Sequence, residues 1–204
     1  MVIVKIQGGL GNQMFQYALY CKLKHIYKTV KVDVSWYQHN RAESQRKLEL
    51  QQFPIRLNVC SNWNKFFRCN TFTLFASKHL GLDGLFYREK ASGVYCSEIF
   101  KKRNALLDGY WQSEQYFSDI REQVLQEFAF PKSITEYEEA ILERIKTTIP
   151  VSIHVRRGDY LKNSDKYGNI CTEQYYHMAI QYMKKKLINP SFFVFSDDIN
   201  ERKL

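Results

Sequence analysis

The first 34 residues constrain the fold more than any other stretch, because they predict a strand, a glycine-rich turn, a helix and a second strand. Residues 2–6 (VIVKI) are almost entirely apolar, and residues 30–34 (VKVDV) alternate as a strand does. Between them, residues 7–13 carry three glycines, and apolar residues recur at helical spacing from Phe15 to Ile26. This order of elements is the beginning of a Rossmann-like parallel sheet.

The stretch 151–160 (VSIHVRRGDY) predicts another buried strand with a charged loop at its end. Val and Ile dominate its first five residues, and Gly158 then ends the strand. Ligands of open α/β sheets bind at the carboxyl ends of the strands, and the guanidinium groups of Arg156 and Arg157 match the geometry of a phosphate. Together with Asp159, the same arginines would equally suit a solvated network of surface ion pairs.

The rest of the chain adds helices and strands in the order of an α/β protein. Amphipathic helices are predicted over 117–128 and 134–145, and Thr172 is a suitable N-cap for a third helix that reaches Leu187. Buried strands are predicted over 105–111, stopped by Gly109, and over 192–195. Residues 36–93 give no clear assignment beyond short helices expected within 63–80.

These elements predict two domains. Residues 1–149 are expected to form one Rossmann-like domain, and residues 150–204 contribute a single βαβ unit to a second. A two-stranded parallel pair needs neighbouring strands and cover on both faces. We therefore expect the second domain to be incomplete within these 204 residues.

Composition excludes several classes of protein. The five cysteines are scattered without a C-x-x-C pair, so reduced thiols are expected rather than a zinc or redox site. No signal-peptide pattern and no apolar run of about 20 residues is present, which predicts a soluble cytoplasmic protein. The net charge of +9 favours an anionic partner, but Lys184–Lys186 fall in the predicted last turn of a helix, where the helix dipole favours cations. No nucleic acid is therefore expected as a partner.

Four sequence blocks resemble those of the bacterial α-1,2-fucosyltransferases of glycosyltransferase family 11. These blocks are GGLGNQMFQYA at 8–18, DGYWQSEQYF at 108–117, HVRRGDY at 154–160 and FSDD at 195–198. The resemblance implies an α/β chain with a GT-B-like architecture, in which the active site lies between two Rossmann-like halves. It implies an acceptor-side domain over most of the N-terminal part and a partial GDP-fucose-binding domain after it.

The resemblance also implies the reaction and its participants. GDP-fucose is the expected donor, a galactose-terminated glycan is the expected acceptor, and fucose is moved to the 2-hydroxyl with inversion. No metal ion and no other cofactor is expected. Such an enzyme would act in surface polysaccharide biosynthesis in the cytoplasm, peripheral to the inner membrane.

The arginine block carries most of the predicted donor site. By resemblance, Arg156 binds the β-phosphate, where a fixed cation would stabilise the charge that grows on the leaving diphosphate. Arg157 and Gly158 are predicted beside it. Asp159 is predicted to orient Arg156 or contact the nucleotide, with a loop-holding ion pair as the alternative. His154 is predicted either to contact guanosine or to be a structural histidine.

The other predicted site residues come from the two remaining ends of strands. Gly9 and Gly11 would form an anion cradle with the helix N-terminus, and Asn12 would either touch the phosphate or acceptor hydroxyl or cap the helix. Ser196, Asp197 and Asp198 follow a strand predicted beside the arginine strand, where a carboxylate can accept two hydrogen bonds from guanine. A solvated pair is the alternative there.

The sequence leaves the general base open between Asp33, Glu114 and Asp159. It also leaves two other functions open. Gly9-x-Gly11 with Asp33 about 20 residues on resembles part of a dinucleotide-binding fingerprint, although Met14 stands where a glycine is needed. An NAD-dependent dehydrogenase is thus a lesser alternative. The other is a truncated, non-catalytic remnant that binds a glycan or a partner.

Overall fold

The computed structural model describes residues 1–39, 46–61, 85–130, 135–155 and 172–196. The chain separates into two compact units, Met1–Lys132 and Ser133–Leu204. The functional division predicted between residues 149 and 150 stays a prediction.

The first unit contains short parallel strands and one long helix. Strand β1 (Val2–Lys5) leads to helix α1 (Leu10–Ile26), strand β2 (Val30–Asp33) and the one-turn helix α2 (Trp36–His39). Further along are strands β3 (Phe86–Arg88) and β4 (Leu106–Asp108) and helix α3 (Arg121–Glu127). Single 3₁₀ turns occupy Leu50–Gln52, Ser97–Lys101, Glu114–Tyr116 and Ser118–Ile120.

The four strands form one parallel sheet in the order β2-β1-β4-β3. Val4 of β1 pairs with Val32 on one side and with Leu107 on the other, so β1 lies inside the sheet. The outer edge of β2 is paired as well, because Val32 N donates to Asn58 O at 2.9 Å and Cys60 N donates to Val32 O at 2.9 Å.

Alternating strand residues place apolar side chains on both faces of this sheet, as a parallel sheet requires. Val2 and Val4 pack in a large core with Leu19 and Leu23 of α1. Ile3 and Leu106 point to the opposite face and form a smaller cluster with Cys60, Met1 and Phe86. The sheet is therefore covered by α1 on one face.

The second unit is a helix followed by a βαβ unit. Helix α4 (Glu136–Thr147) leads into strand β5 (Ile149–Val155), helix α5 (Glu173–Lys186) and strand β6 (Pro190–Ser196). β5 and β6 are parallel, and their register pairs Val151 with Phe192 and Val155 with Ser196.

Helices contact this second sheet from both sides. Arg144 of α4 lies over the ring of Phe193, whereas Phe192 faces a space shared with α5. Because neighbouring residues of a strand point to opposite faces, α4 and α5 cover opposite faces of the β5–β6 pair. Both units are thus α/β with parallel strands, and both are compatible with a Rossmann-like fold.

Most predicted elements are confirmed, with some corrections. The Thr172 hydroxyl accepts from Tyr175 N and caps α5 as expected, and β4 stops before Gly109. The helix predicted over 117–128 is shorter, since a 3₁₀ turn precedes α3. Strand β3 lies in the stretch that the sequence left unassigned, and the helices expected within 63–80 fall outside the described residues. Among the described residues, no helix has the length and apolar character to cross a membrane.

Candidate functional site

The carboxyl ends of β1 and β4 form the place where the first sheet can bind a ligand. The chain leaves β1 towards β2 on one side, whereas β4 and β3 lie on the other side. Ligands of open α/β sheets bind at such topological switch points. We call the space between the loop after β1 (residues 6–9) and the loop after β4 (residues 109–113) the switch-point cleft.

The loop after β1 turns on Gly8. Its φ is +82°, and a Cβ there would come within 2.7 Å of Asn12 Nδ2, so no other residue fits without a shift. Helix α1 then begins at Leu10 with Gly9 as its N-cap. The alternative of Asn12 as N-cap is therefore wrong, because Asn12 already lies in the first turn. A Cβ at Gly11 would meet nothing within 4 Å, so this side of the helix end is open.

The fully buried Gln13 ties this loop to a distant segment. Its Nε2 donates to Gly8 O at 3.1 Å and to Lys47 O at 2.9 Å. Its Oε1 accepts from Glu49 N at 2.8 Å and from Leu50 N at 3.2 Å. One side chain thereby satisfies the hydrogen bonds of four backbone groups and links the glycine loop to residues 47–50.

A second donor also holds the carbonyl of Gly8. The hydroxyl of Tyr37 donates to Gly8 O at 3.0 Å. Burial, and then the nearby Glu49 carboxylate, raises the pKa of Tyr37, so the hydroxyl stays protonated and remains a donor.

Gln16 joins the two loops of the switch-point cleft. Its Oε1 accepts from Gln7 N at 2.9 Å, and its Nε2 donates to Gly109 O at 3.0 Å. The side chain is fully buried one turn into α1. Both loops are therefore held by the same helix, which fixes the width of the cleft.

A charged cluster lies at the end of β4. The buried carboxylate of Asp108 accepts from Lys5 Nζ, Gln7 Nε2 and an Arg88 nitrogen, each at 3.1 Å. Lys5 is three-quarters buried, whereas Arg88 is largely exposed. The two cations and the Gln7 amide thereby satisfy this buried carboxylate.

The loop after β4 is held in a rare backbone conformation. The fully buried Trp111 has φ +56°, and the Glu89 carboxylate accepts from Tyr110 N at 2.6 Å and from Trp111 N at 3.2 Å. A Cβ on Gly109 would come within 2.5 Å of Glu89 Cβ, so a glycine is required there. Strained residues of this kind persist only where the surrounding contacts fix them.

Side chains from helix α1 and from the loops after β3 and β4 meet across the cleft. Gln112 Nε2 donates to Asn12 Oδ1 at 2.7 Å, and Ser92 Oγ donates to Gln112 Oε1 at 3.1 Å. Of the predicted site residues, Gly9, Gly11 and Asn12 are therefore brought together at this cleft.

In the second unit, the register places the ends of the two predicted motif strands side by side. Val155 and Ser196 are paired, so the chain leaves both strands at the same edge of the sheet. The side chain of His154 is exposed, and its carbonyl accepts from Tyr176 Oη at 3.1 Å. Six predicted donor-site residues follow these ends and lie outside the described residues: Arg156, Arg157, Gly158, Asp159, Asp197 and Asp198.

A cavity of about 380 Å³ lies between β5, β6 and the first three turns of α5. It is lined mainly by apolar and aromatic side chains, among them Ile153, Phe192, Tyr176 and Met183, with His154 at one end.

Two of the three candidates for the general base already accept hydrogen bonds from other residues. Asp33 is buried at the end of β2 and accepts from Ser35 N at 3.0 Å. Glu114 accepts from Arg121 Nε at 2.9 Å on the surface. Asp159 lies outside the described residues. In the described ranges, no three His, Cys, Asp or Glu side chains are grouped closely enough to hold a metal ion.

Sequence reasoning missed the polar residues that build the cleft. Gln7, Gln13, Gln16, Asp108 and Gln112 were not assigned roles. The one signal for Gln13 and Gln16 is their position on the apolar side of α1, next to Tyr17 and Tyr20, where a polar side chain needs a partner.

These features define an α/β protein with a polar cleft at the switch point of a parallel sheet. The sequence family described as Glycosyl transferase family 11 matches residues 1–203, and the chain belongs to this family. It is thus a glycosyltransferase-family protein, and nothing in the comparisons supports a dehydrogenase.

Individual relatives agree with this assignment. An Escherichia coli protein named alpha-1,2-colitosyltransferase is 32% identical over 208 residues, which cover 98% of this chain and 69% of the relative. The O-antigen biosynthesis glycosyltransferase WbnK of Escherichia coli is 27% identical over 95% of this chain and 72% of its own length. The mouse galactoside 2-alpha-L-fucosyltransferase Sec1 is 29% identical over 45% of this chain and 27% of its own. No solved structure matches the chain.

Proposed function

We propose that the protein transfers L-fucose from GDP-fucose to the 2-hydroxyl of a galactose-containing glycan, with inversion at the fucose carbon. The observation that carries the proposal is the register of β5 and β6, which brings the starts of the arginine and aspartate motifs to one edge. The family assignment over residues 1–203 and the relatives named as α-1,2-fucosyl- or colitosyltransferases support it.

The arginine motif at the end of β5 has the charge needed to stabilise a nucleoside diphosphate as the leaving group. Breaking the bond from the sugar carbon to phosphate places positive charge on the sugar and negative charge on the leaving oxygen. Arg156, assisted by Arg157, would stabilise that negative charge in the transition state more than in the ground state. Gly158 would permit a turn in this motif, and Asp159 would keep the guanidinium of Arg156 in place.

The ends of β5 and β6 together suit a guanine nucleotide. Asp197 or Asp198 would accept from N1–H and the amino group of guanine, with Ser196 and His154 as further contacts. This assigns GDP-fucose binding to residues 150–204 and acceptor binding to residues 1–149, in a GT-B arrangement.

The switch-point cleft suits the remaining polar groups of the reaction. The open N-terminus of α1, with Gly9 and Gly11, offers backbone N–H groups to an anion. Asn12 offers an amide to the phosphate or to the acceptor hydroxyl. The proposed reaction needs no metal ion or other cofactor, since arginines supply the positive charge.

The relative named as a colitosyltransferase supports a second candidate donor. Colitose is 3-deoxy-L-fucose. Its transfer to a 2-hydroxyl would therefore release the same diphosphate and use the same two arginines, Arg156 and Arg157. For either sugar, we propose a role in surface polysaccharide assembly in the cytoplasm, at the inner face of the membrane.

The proposal is tested with purified protein, GDP-L-fucose or the colitose analogue, and lactose as acceptor. We expect GDP release that depends on lactose, and a loss of about 10²- to 10³-fold in kcat for Arg156→Ala, as for removal of one oxyanion donor. Arg103→Ala is the matched control, because Arg103 precedes β4 at the end opposite the cleft, and it should keep full activity.

Three results would count against this function. Full activity of Arg156→Ala would show that Arg156 does not stabilise the leaving diphosphate. Binding of NAD without binding of either GDP sugar would favour the dehydrogenase. Binding of a galactose-terminated glycan without transfer or GDP-sugar hydrolysis would favour the non-catalytic alternative.

A further inference from the structure

Gln112 contacts both the first turn of α1 and the loop after β3 at the switch-point cleft. Its Nε2 donates to Asn12 Oδ1 at 2.7 Å, and its Oε1 accepts from Ser92 Oγ at 3.1 Å. Asn12 follows β1, Ser92 follows β3 and Gln112 follows β4. The three side chains therefore form a chain of hydrogen bonds that crosses the cleft from one side to the other.

This chain of hydrogen bonds fixes which way the Asn12 amide faces. Because Asn12 Oδ1 accepts from Gln112, Asn12 Nδ2 is left on the other side of the amide. Nδ2 lies 2.7 Å from the point that a Cβ of residue 8 would occupy, so it is directed to the glycine loop. The amide therefore presents a hydrogen-bond donor beside the open N-terminus of α1.

The loop that delivers Gln112 is built at some cost. Trp111 has φ +56°, Glu89 accepts from two successive backbone N–H groups, and Gly109 leaves no room for a side chain. Such strain persists only where surrounding contacts fix the residue, and the Glu89 carboxylate and the burial of Trp111 fix it here. The position of Gln112 is therefore set by the fold of its loop and not by its hydrogen bond to Asn12.

We propose that Gln112 is a positioning residue for sugar transfer. It holds the Asn12 amide with Nδ2 beside the glycine loop, where this nitrogen donates to an oxygen of the sugar nucleotide or of the acceptor. The hydroxyl of Ser92 holds Gln112 in this orientation by donating to its Oε1. This inference rests on the proposed function, because it assigns Asn12 to the site of the same reaction.

The isosteric change Gln112→Glu tests the orientation directly. A carboxylate keeps the shape of glutamine but cannot donate, so the Asn12 amide would rotate and donate to it, turning Oδ1 towards the glycine loop. We expect kcat to fall about 10²-fold, as when one preorganised donor is lost, with little change in KM for donor and acceptor. Ser92→Ala should lower kcat by less than 10-fold, because it only loosens Gln112.

Two controls separate positioning from folding. Gln126→Glu makes the same substitution at an exposed glutamine of α3 and should leave kcat unchanged. The urea midpoint of Gln112→Glu should equal that of the wild type, because the altered side chain is exposed. In an Asn12→Ala background, which has no amide to orient, Gln112→Glu should have no further effect on kcat.

Wild-type kcat in Gln112→Glu would overturn the inference, and so would effects of Gln112→Glu and Asn12→Ala that simply multiply. If the wild type transfers no sugar, the proposed function fails, and NMR tests the positioning instead. The side-chain amide signals of Asn12 are those lost in Asn12→Ala. They should shift in Gln112→Glu, and unshifted signals would show that Gln112 does not orient this amide.

Discussion

Replacing Gln13 by leucine should lower the free energy of unfolding of the first unit by about 2–4 kcal/mol. The change removes four hydrogen bonds from a fully buried position. Leu50 N is buried and would lose its partner, at a cost of about 1–3 kcal/mol. Gly8 O keeps the hydrogen bond from Tyr37, and the groups of Lys47 and Glu49 lie close enough to water to be rehydrated, so each adds less than about 1 kcal/mol.

Urea unfolding followed by tryptophan fluorescence measures this loss selectively. The three tryptophans, at positions 36, 63 and 111, all precede residue 132, so their emission reports on the first unit. Gln126→Leu is the matched control, because it makes the same change at an exposed position of α3, and its unfolding free energy should stay within about 0.5 kcal/mol of the wild type. A loss below about 1 kcal/mol for Gln13→Leu would refute the argument that this side chain holds the glycine loop.

Three further results are expected. Gly109→Ala should lower the unfolding free energy by about 1–3 kcal/mol, since its methyl group would displace Glu89; an unchanged urea midpoint would contradict this. Asp108→Asn should destabilise the first unit less in 1 M NaCl than in dilute buffer, because salt screens the two cations left without a carboxylate; a salt-independent loss would speak against it. Burial, and then the nearby Glu127 carboxylate, raises the pKa of the Cys21 thiol from 9.0 to about 12. As the pH rises, the thiol therefore loses its proton in the unfolded chain before it does so in the folded one. The free energy of unfolding should then fall between pH 9 and 12. The wild type should therefore lose up to about 1.4 kcal/mol more per pH unit than Cys21→Ala, and equal slopes of the unfolding free energy against pH would disprove it.

Elements that depend on neighbouring residues were predictable from the sequence. The alternation in residues 30–34 and the apolar run of 2–6 identify β2 and β1, because the side-chain period of a strand is local. Thr172 caps α5 through a hydrogen bond to a residue three positions later, which is equally local. The juxtaposition of the ends of β5 and β6 also follows, since parallel strands leave a sheet at the same edge.

The interior of the cleft was not predictable, because it is made by contacts distant in sequence. Gln16 lies on the apolar side of α1, but no local pattern identifies its partner Gly109 O, which is 93 positions away. Gln112 likewise meets Asn12 across 100 positions. The positive φ of Trp111 depends on the carboxylate of Glu89, the residue after β3, which no local pattern of residues indicates.

The short β3 shows a further limit. Phe86–Arg88 is too brief to display a period, and only its pairing with Leu106–Asp108 makes it a strand. The shortening of the helix predicted over 117–128 has a related cause. Phe117 is buried and packs 6.1 Å from the ring of Phe15, and the chain there forms 3₁₀ turns before α3 begins.

The most direct test of the proposed reaction is the structure of its product. After incubation of the protein with GDP-L-fucose and lactose, we expect one GDP released per glycan formed, and NMR should show the anomeric carbon of fucose joined in α configuration to O2 of galactose. GDP accompanied only by free fucose, or a product joined through another hydroxyl, would contradict it.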